Sequence, residues 1–333
     1  MTEHRIATLL PSLTEIVASL PSLRPMMVAI THECDHPEEV VEKLLRVTTS
    51  DIKPHLLSQK EIDHLVNGSI AQGNSLYGLD EAKLKEAEPS LVFTQALCEV
   101  CAPAYPLVLS TCAKVLGDGP KGPRVVNIAP TCVQEVIDSV RLVGKETGYI
   151  EEAEAEAARL EAGFAAIKAS VKSAIAEAKK ENGNYRKTRV AFLEWSDPLF
   201  NGGHWIPEMI DMAGGEYRLA EFGKPSARIT PEALVEDDPD VIMVAPCGFD
   251  AVRAHDDCQK LWENDWWIGL RAVKEGKVYA MDANSYYARP GPRLLQGTGI
   301  MARICLGDAA VKELGEALAP KDWIMVEAPS QLR

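Results

Sequence analysis

The sequence is short of positive charge. Its 333 residues hold 35 Lys plus Arg against 49 Asp plus Glu, a formal net charge of −14. Nucleic acid and anionic membrane surfaces both require a basic footprint, so neither is expected as a partner. Long apolar runs are also missing. Nothing approaches the ~18 residues of a membrane-spanning helix. The start, Met1-Thr2-Glu3-His4-Arg5 running into Ile6-Ala7-Thr8-Leu9-Leu10, lacks the basic opening, longer apolar stretch and small-residue cleavage site of a secretory signal. The expected location is therefore the cytoplasm, or the periplasm or extracellular space if a leader has been removed. There is no G-x-S-x-G elbow, no phosphate loop and no dinucleotide fingerprint opening the first helix. No catalytic residue is assigned, and an enzyme is not the expected class. Aromatics make up only 6% of the chain, so any cluster of them is informative.

What is present is ordinary globular material, 46% hydrophobic and 25% charged. The length suggests two domains. Eight cysteines are not needed as staples at this size, and most are expected as reduced, buried, small hydrophobes.

The first part alternates short apolar runs with helical stretches. Strands are expected over 5–10, 26–30, 46–49, 91–94 and 124–128, and helices over 13–18, 58–71, 80–87, 105–116 and 131–147. Ser12 with Glu15, and Thr131 with Gln134, read as capping boxes. Such alternation argues for a mostly parallel sheet covered on both faces. From Tyr149 to Lys180 the grammar changes. Proline disappears, and Leu160, Phe164, Ile167, Val171 and Ile175 recur at spacings of three and four, one helical stripe. Glutamates at 151, 152, 154 and 156 open the segment and Lys172, Lys179 and Lys180 close it, an order that complements the helix macrodipole. A continuous helix here would run ~48 Å. Beyond it the βα grammar resumes, with strands over 189–193, 241–245 and 277–281 and helices over 204–213, 231–236, 252–263 and 292–306. The expected organisation is an α/β lobe over 1–148, a bridging helix over 149–182 and a second α/β lobe over 183–333. The segment from Leu84 through Pro89 to Phe93 matches that from Leu234 through Pro239 to Met243 in spacing, which suggests an internal duplication.

In open α/β sheets ligands bind beyond the carboxyl ends of the strands. The loops expected there hold Trp195, Trp205, Phe249, Tyr286 and Tyr287. Aromatics converging on a rim suit a large, flat, partly apolar ligand, while packing against neighbouring loops is the plainer alternative. His32 and Cys34 follow one strand, and Cys98 and Cys101 another. Together they could offer four N/S ligands to zinc or iron, although the spacing matches no standard zinc motif. Buried thiols beside a hydrogen-bonded histidine, or a redox C-x-x-C, are the alternatives.

Several stretches taken in order resemble a known family. They are Leu10-Pro11-Ser12-Leu13-Thr14-Glu15, His32-Glu33-Cys34-Asp35, Glu194-Trp195-Ser196-Asp197-Pro198, Gly202-Gly203-His204-Trp205 and Asn284-Ser285-Tyr286-Tyr287-Ala288-Arg289-Pro290-Gly291-Pro292. They are similar to the cobalamin-binding branch of the periplasmic binding proteins, the substrate-binding components of ABC importers for cobalamin and iron–siderophores. The resemblance implies two three-layer α/β lobes with parallel-type sheets bridged by one long helix, the class III, helical-backbone metal-receptor type. It also implies non-enzymatic binding of a corrinoid, cobalamin or a precursor, between the lobes. Carried over, the ligand-binding positions are Ser12, Leu13, His32, Glu33, Leu76, Tyr77, Gln95 and Leu97, then Trp195, Asp197, His204, Trp205, Phe249, Tyr286, Tyr287 and Arg289. Trp and Tyr would cover the corrin faces, the polar groups would bind its amides, and a His could ligate cobalt. Haem, an iron chelate, a bare metal ion or an enzyme substrate in the same place are the competing ligands. Docking to a transporter would use a glutamate on each lobe. Glu232 stands seven residues before Pro239. The residue seven before Pro89, its counterpart in the repeat, is Ala82, with Glu81 one step off, which puts docking in doubt.

Overall fold

The computed structural model describes residues 4–329 apart from 51, 72–75, 97–102, 182 and 184. Two compact units divide the chain: Met1–Pro130 with Gln134–Ala158, and Thr131–Val133 with Arg159–Arg333.

In the first unit the short apolar runs form a parallel sheet. Its strands are β1 (Ile6–Thr8), β2 (Met27–Ile30), β3 (Leu45–Arg46), β6 (Leu91–Thr94) and β7 (Arg124–Asn127), in the order β3-β2-β1-β6-β7. The central strands β1 and β6 are buried at every position. A two-stranded antiparallel ribbon, β4 (Thr48–Ser50) and β5 (Tyr77–Leu79), stands apart from the sheet. Ala7, Leu9, Ala29, Val92 and the helical Leu84 and Val108 close one core. The first helix, α1 (Pro11–Ala18), corrects an expectation. Pro11 occupies its first turn and Leu10 is the N-cap, with no side-chain cap bond. Ser12 therefore lies inside the helix and makes no capping box, because proline takes the position that needs no N–H.

In the second unit the path is β10-β8-β11-β12-β13, with β9 paired to β8. These strands are β8 (Thr188–Ser196), β9 (Leu199–Asn201), β10 (Gly215–Glu216), β11 (Val241–Val244), β12 (Val278–Met281) and β13 (Trp323–Met325). β9 and β13 are antiparallel and lie outside the strands expected from the sequence. Both are only three residues long, too short for a period to register. Trp267 is fully buried in the core of this unit, among Leu193, Leu234, Ile242, Val244 and Ala280.

The two segments matched in spacing adopt the same local structure. Helix α2 (Glu81–Ala87) leads into β6, and a later helix of equal length (Pro231–Asp237) leads into β11. Their N-caps, Asp80 and Thr230, each accept the backbone N–H three residues on. Their C-caps, Glu88 and Asp238, both adopt the left-handed conformation, at φ 42° and 44°. The Arg5 N–H donates to Ser90 Oγ at 3.0 Å, and the Arg189 N–H to Asp240 Oδ2 at 2.8 Å. Their guanidinium groups reach the carbonyls of Ala87 and Asp237, each at 3.0 Å.

The uninterrupted stretch forms α3 (Ile150–Glu181), 32 residues long. Leu160, Phe164, Ile167 and Val171 of the expected stripe are buried. Gly163 lets the helix Leu294–Leu306 approach closely, since a Cβ there would lie 2.5 Å from the Leu295 side chain. The helix contributes to both units, which divide between Ala158 and Arg159. No helix among the described residues is long and apolar enough to cross a membrane.

Candidate functional site

The residues singled out in the first unit gather at the carboxyl ends of its central strands. Ser12 and Leu13 follow β1 and are each 1% exposed. Ser12 Oγ, and Thr94 Oγ1 at the end of β6, are buried without a hydrogen-bond partner among the described residues. Beyond β2 the chain is pinned by Arg46, whose Nη1 donates to the carbonyls of Thr31, His32 and Cys34. The His32 N–H donates to Thr48 Oγ1 at 3.0 Å, and that hydroxyl also lies 2.7 Å from Nδ1. Nε2 lies 3.2 Å from Glu33 Oε1, outside hydrogen-bonding angle. The Tyr77 ring sits 5.7 Å from the imidazole. Leu76 and Gln95 are buried.

Of the four expected metal ligands, Cys98 and Cys101 lie outside the described residues, as does the ligand-binding candidate Leu97. Cys34 is buried, with its Sγ 3.0 Å from Thr14 Oγ1 and 3.3 Å from Thr31 Oγ1. That is the setting of a hydrogen-bonded thiol rather than one presented to an ion. Among the described residues no group of three or more His, Cys, Asp or Glu side chains could hold a metal.

The second unit builds a more elaborate rim. Strand β8 ends in Glu194-Trp195-Ser196, and β9 folds back along it. Asn201 then locks the following turn. Its Nδ2 donates to the Leu219 carbonyl at 2.5 Å and its Oδ1 accepts the Ala227 N–H at 2.6 Å. The Gly202 N–H donates to the Tyr217 hydroxyl at 2.8 Å, which donates onward to the Phe192 carbonyl at 3.0 Å. The Gly203 N–H donates to Ser226 Oγ at 3.0 Å, and that hydroxyl donates to the Glu194 carboxylate. Burial pushes the Glu194 carboxyl above its ordinary range, against the hydrogen bonds from Ser226 and Gly203 that favour its ionised form. Gly203 is required here, because a Cβ would lie 2.3 Å from the Ser226 nitrogen.

His204 is presented from this frame with its backbone in the left-handed region, at φ 50°, and its N–H donating to the Lys224 carbonyl at 2.6 Å. Its ring stacks on Trp205 at 5.5 Å and 28°. Burial lowers its pKa, which favours the neutral imidazole that can act as a metal ligand.

The five rim aromatics divide into two groups. Trp205, Phe249 and Tyr287 are 6%, 2% and 2% exposed and form the packing beneath the loops, the plainer of the two roles open to them. Trp205 Nε1 donates to the Tyr287 carbonyl at 2.8 Å, and Tyr287 packs edge-on against Phe192 at 5.5 Å. Trp195 and Tyr286 stay partly exposed. Trp195 lies on Phe249 at 5.5 Å, and the Arg253 guanidinium covers the same phenyl ring at 4.2 Å. The Tyr286 hydroxyl donates to Asp322 at 2.8 Å, and burial together with that carboxylate pushes its pKa up. Asp197 is exposed and Arg289 half-buried at the same strand ends. The rim therefore offers two aromatic faces, an imidazole biased toward its neutral form, a carboxylate and a guanidinium.

Asn201, Tyr217, Ser226, Arg253 and Asp322 are supporting residues the sequence did not disclose. Asn201 beside Gly202-Gly203 was the one usable hint, since an asparagine before two glycines marks a turn that needs its own side-chain anchor.

Two α/β units that share one long helix, each with a mostly parallel sheet and candidate ligand-binding residues at the strand carboxyl ends, make up the class III binding-protein fold. The family model described as periplasmic binding protein matches residues 120–285 of the chain. No curated protein matches the chain. Solved structures do. The periplasmic haem-binding protein RhuT from Roseiflexus sp. RS-1 is 19% identical, with a TM-score of 0.65 over 93% of this chain and 100% of that one. The periplasmic vitamin B12 binding protein BtuF of Vibrio cholerae is 18% identical, with a TM-score of 0.62 over 92% and 97%. A possible iron-binding, periplasmic solute-binding protein from Staphylococcus epidermidis is 17% identical, with a TM-score of 0.63 over 91% and 99%.

Proposed function

We propose that the protein binds a metal-bearing macrocycle, a corrinoid or haem, without chemically transforming it, and serves as the binding component of an uptake or carrier system. The observation that carries this reading is the rim of the second unit. Trp195 and Tyr286 are held partly exposed over buried aromatic rings, and burial biases the His204 imidazole toward its neutral form. Flat apolar faces call for rings, amide or carboxylate edges call for Asp197 and Arg289, and a metal centre calls for a neutral imidazole. Relatives titled as haem-, vitamin B12- and iron-binding proteins support a metal-containing cargo and separate none of these three.

The relatives are titled periplasmic, so the comparisons give no support to the cytoplasmic expectation. Delivery to an importer would rely on Glu232, exposed in the first turn of its helix. The repeat places Ala82 at the corresponding position, and the neighbouring Glu81 is engaged by Lys114 at 2.6 Å. On this reading the docking contact is one-sided.

Calorimetric titration with haemin and with cyanocobalamin tests the proposal. Saturable heat with at least one of them, lost in His204→Ala combined with Trp195→Ala, is the expected result. Silence with both compounds refutes it.

A further inference from the structure

Away from the rim, the second unit carries an open groove of about 590 Å³ along the carboxyl-terminal half of α3. It continues past Lys187, Asp211 and Phe222 into a second depression of about 380 Å³. Its floor is apolar: Val171 and Met212 are buried, and Ile175 is half-buried. Phe222 stands 59% exposed where the two depressions meet. Gly214 holds the floor open, because a Cβ there would lie 3.0 Å from both Val171 and Leu306.

Lys168, Lys172 and Lys179 line the groove and make no ion pair among the described residues. At ~100° per residue the three fall within about 40° of one another on the helix, a single stripe beside the floor. The acids in the groove are already engaged. Asp211 pairs with Lys187 at 2.8 Å, and Glu208 accepts the Val133 N–H at 2.8 Å. An unpaired basic stripe on a protein of net charge −14 is a local reversal of sign, and such reversals select partners.

We propose that this groove docks an acidic amphipathic helix of a partner protein. The lysines extend over about eleven residues, ~16 Å along the axis. A single-headed anion such as a fatty acid would reach only the close pair, Lys168 and Lys172, whereas a helix carrying a row of carboxylates meets all three. The apolar floor takes its hydrophobic face, with Phe222 as the anchor, in the helix-in-groove mode. This docking is independent of what the rim binds.

The test is fluorescence anisotropy of a labelled synthetic amphipathic helix, using the full chain. The peptide carries three glutamates at the same four- and seven-residue spacing and leucines on the adjoining face. The expected result is saturable binding that weakens as salt rises. It falls about tenfold or more in the K168E/K172E/K179E variant, as three reversed pairs require. All three positions are exposed, so the melting curve should be preserved. Phe222→Ser should weaken binding while keeping the salt dependence. The haemin and cyanocobalamin titrations should be the same in the variant and the parent, which separates this proposal from the one above. Absent binding, equal binding by the triple variant, equal binding by a lysine-for-glutamate peptide, or displacement of the peptide by laurate at comparable concentration would each overturn it.

Discussion

Gly203→Ala should unseat the His204 loop. The added Cβ would sit 2.3 Å from the Ser226 nitrogen, 2.5 Å from the Pro225 carbonyl carbon and 2.6 Å from the Lys224 oxygen. All three are backbone atoms, so no side chain can swing clear. Restoring ordinary van der Waals contact requires residues 224–226 to retreat by ~1 Å, an overpacking cost of about 1–3 kcal/mol. The same retreat stretches the Gly203 N–H to Ser226 bond, now 3.0 Å, and the His204 N–H to Lys224 bond, now 2.6 Å, beyond useful length. Two lost bonds add about 1–3 kcal/mol. Alanine's smaller unfolded-state entropy returns about 0.4–1 kcal/mol. The net loss is about 3 kcal/mol, a fall in melting temperature of roughly 6–12 °C for a unit of this size. Thermal melts followed by circular dichroism measure it. Gly223→Ala is the control. Gly223 has φ +68° but open space around its Cβ position, so only the left-handed conformation is penalised, by about 1–2 kcal/mol. Equal shifts for the two variants, or a Gly203→Ala loss within about 0.5 kcal/mol of zero, would refute the steric argument.

Three further outcomes rest on the same geometry. Asp240 receives Arg186, Arg271 and the Arg189 N–H. Against the cost of burial, these hydrogen bonds hold its carboxyl far below the usual carboxylate range. Its contribution to stability is therefore complete above the unfolded pKa of about 4 and lost as pH falls below it. Asp240→Asn should cost about 2–3 kcal/mol at neutral pH in urea titrations, and less in acid. Glu194 has the opposite sign. Its raised pKa means that stability declines as pH rises through the window between the unfolded and folded values, so Glu194→Gln should compare more favourably with the parent at neutral pH than in acid in paired melts. A constant difference across pH would show that Glu194 is not taken up charged against its environment. Trp195→Ala should weaken binding of the macrocycle by about 1–3 kcal/mol, and unchanged affinity in the same titration would make Trp195 packing for Phe249 alone.

Much of the fold was legible because its signals are local. Buried parallel strands read as short apolar runs, α3 as a charge-ordered stripe, and the repeat as a helix–proline–strand spacing whose left-handed caps, Glu88 and Asp238, the structure then displays. Strand β13 carried no such signal, since three residues hold no period and their place depends on long-range pairing with β12. The site was less legible. Trp205 and Phe249 look the same in sequence as Trp195, because an aromatic at a strand end is equally suited to packing and to display. Only the tertiary contacts divide them, such as the bond from Trp205 Nε1 to the Tyr287 carbonyl. Ser12 misled for a related reason: Pro11 takes over the helix start, and the apparent cap becomes a buried hydroxyl without a partner among the described residues. The charge order of α3 was read from Lys172, Lys179 and Lys180, of which Lys179 and Lys180 occupy its last turn. The groove that Lys168, Lys172 and Lys179 line depends on Met212 and Phe222, far away in sequence.

The most direct test of the central claim is an absorbance titration of the full chain with haemin and with cyanocobalamin, each repeated on His204→Ala. The account predicts saturation at one ligand per chain for at least one compound. It also predicts a shifted macrocycle band that the His204 variant fails to produce. Spectra that remain those of the free compounds, with no saturation in either titration, would contradict it.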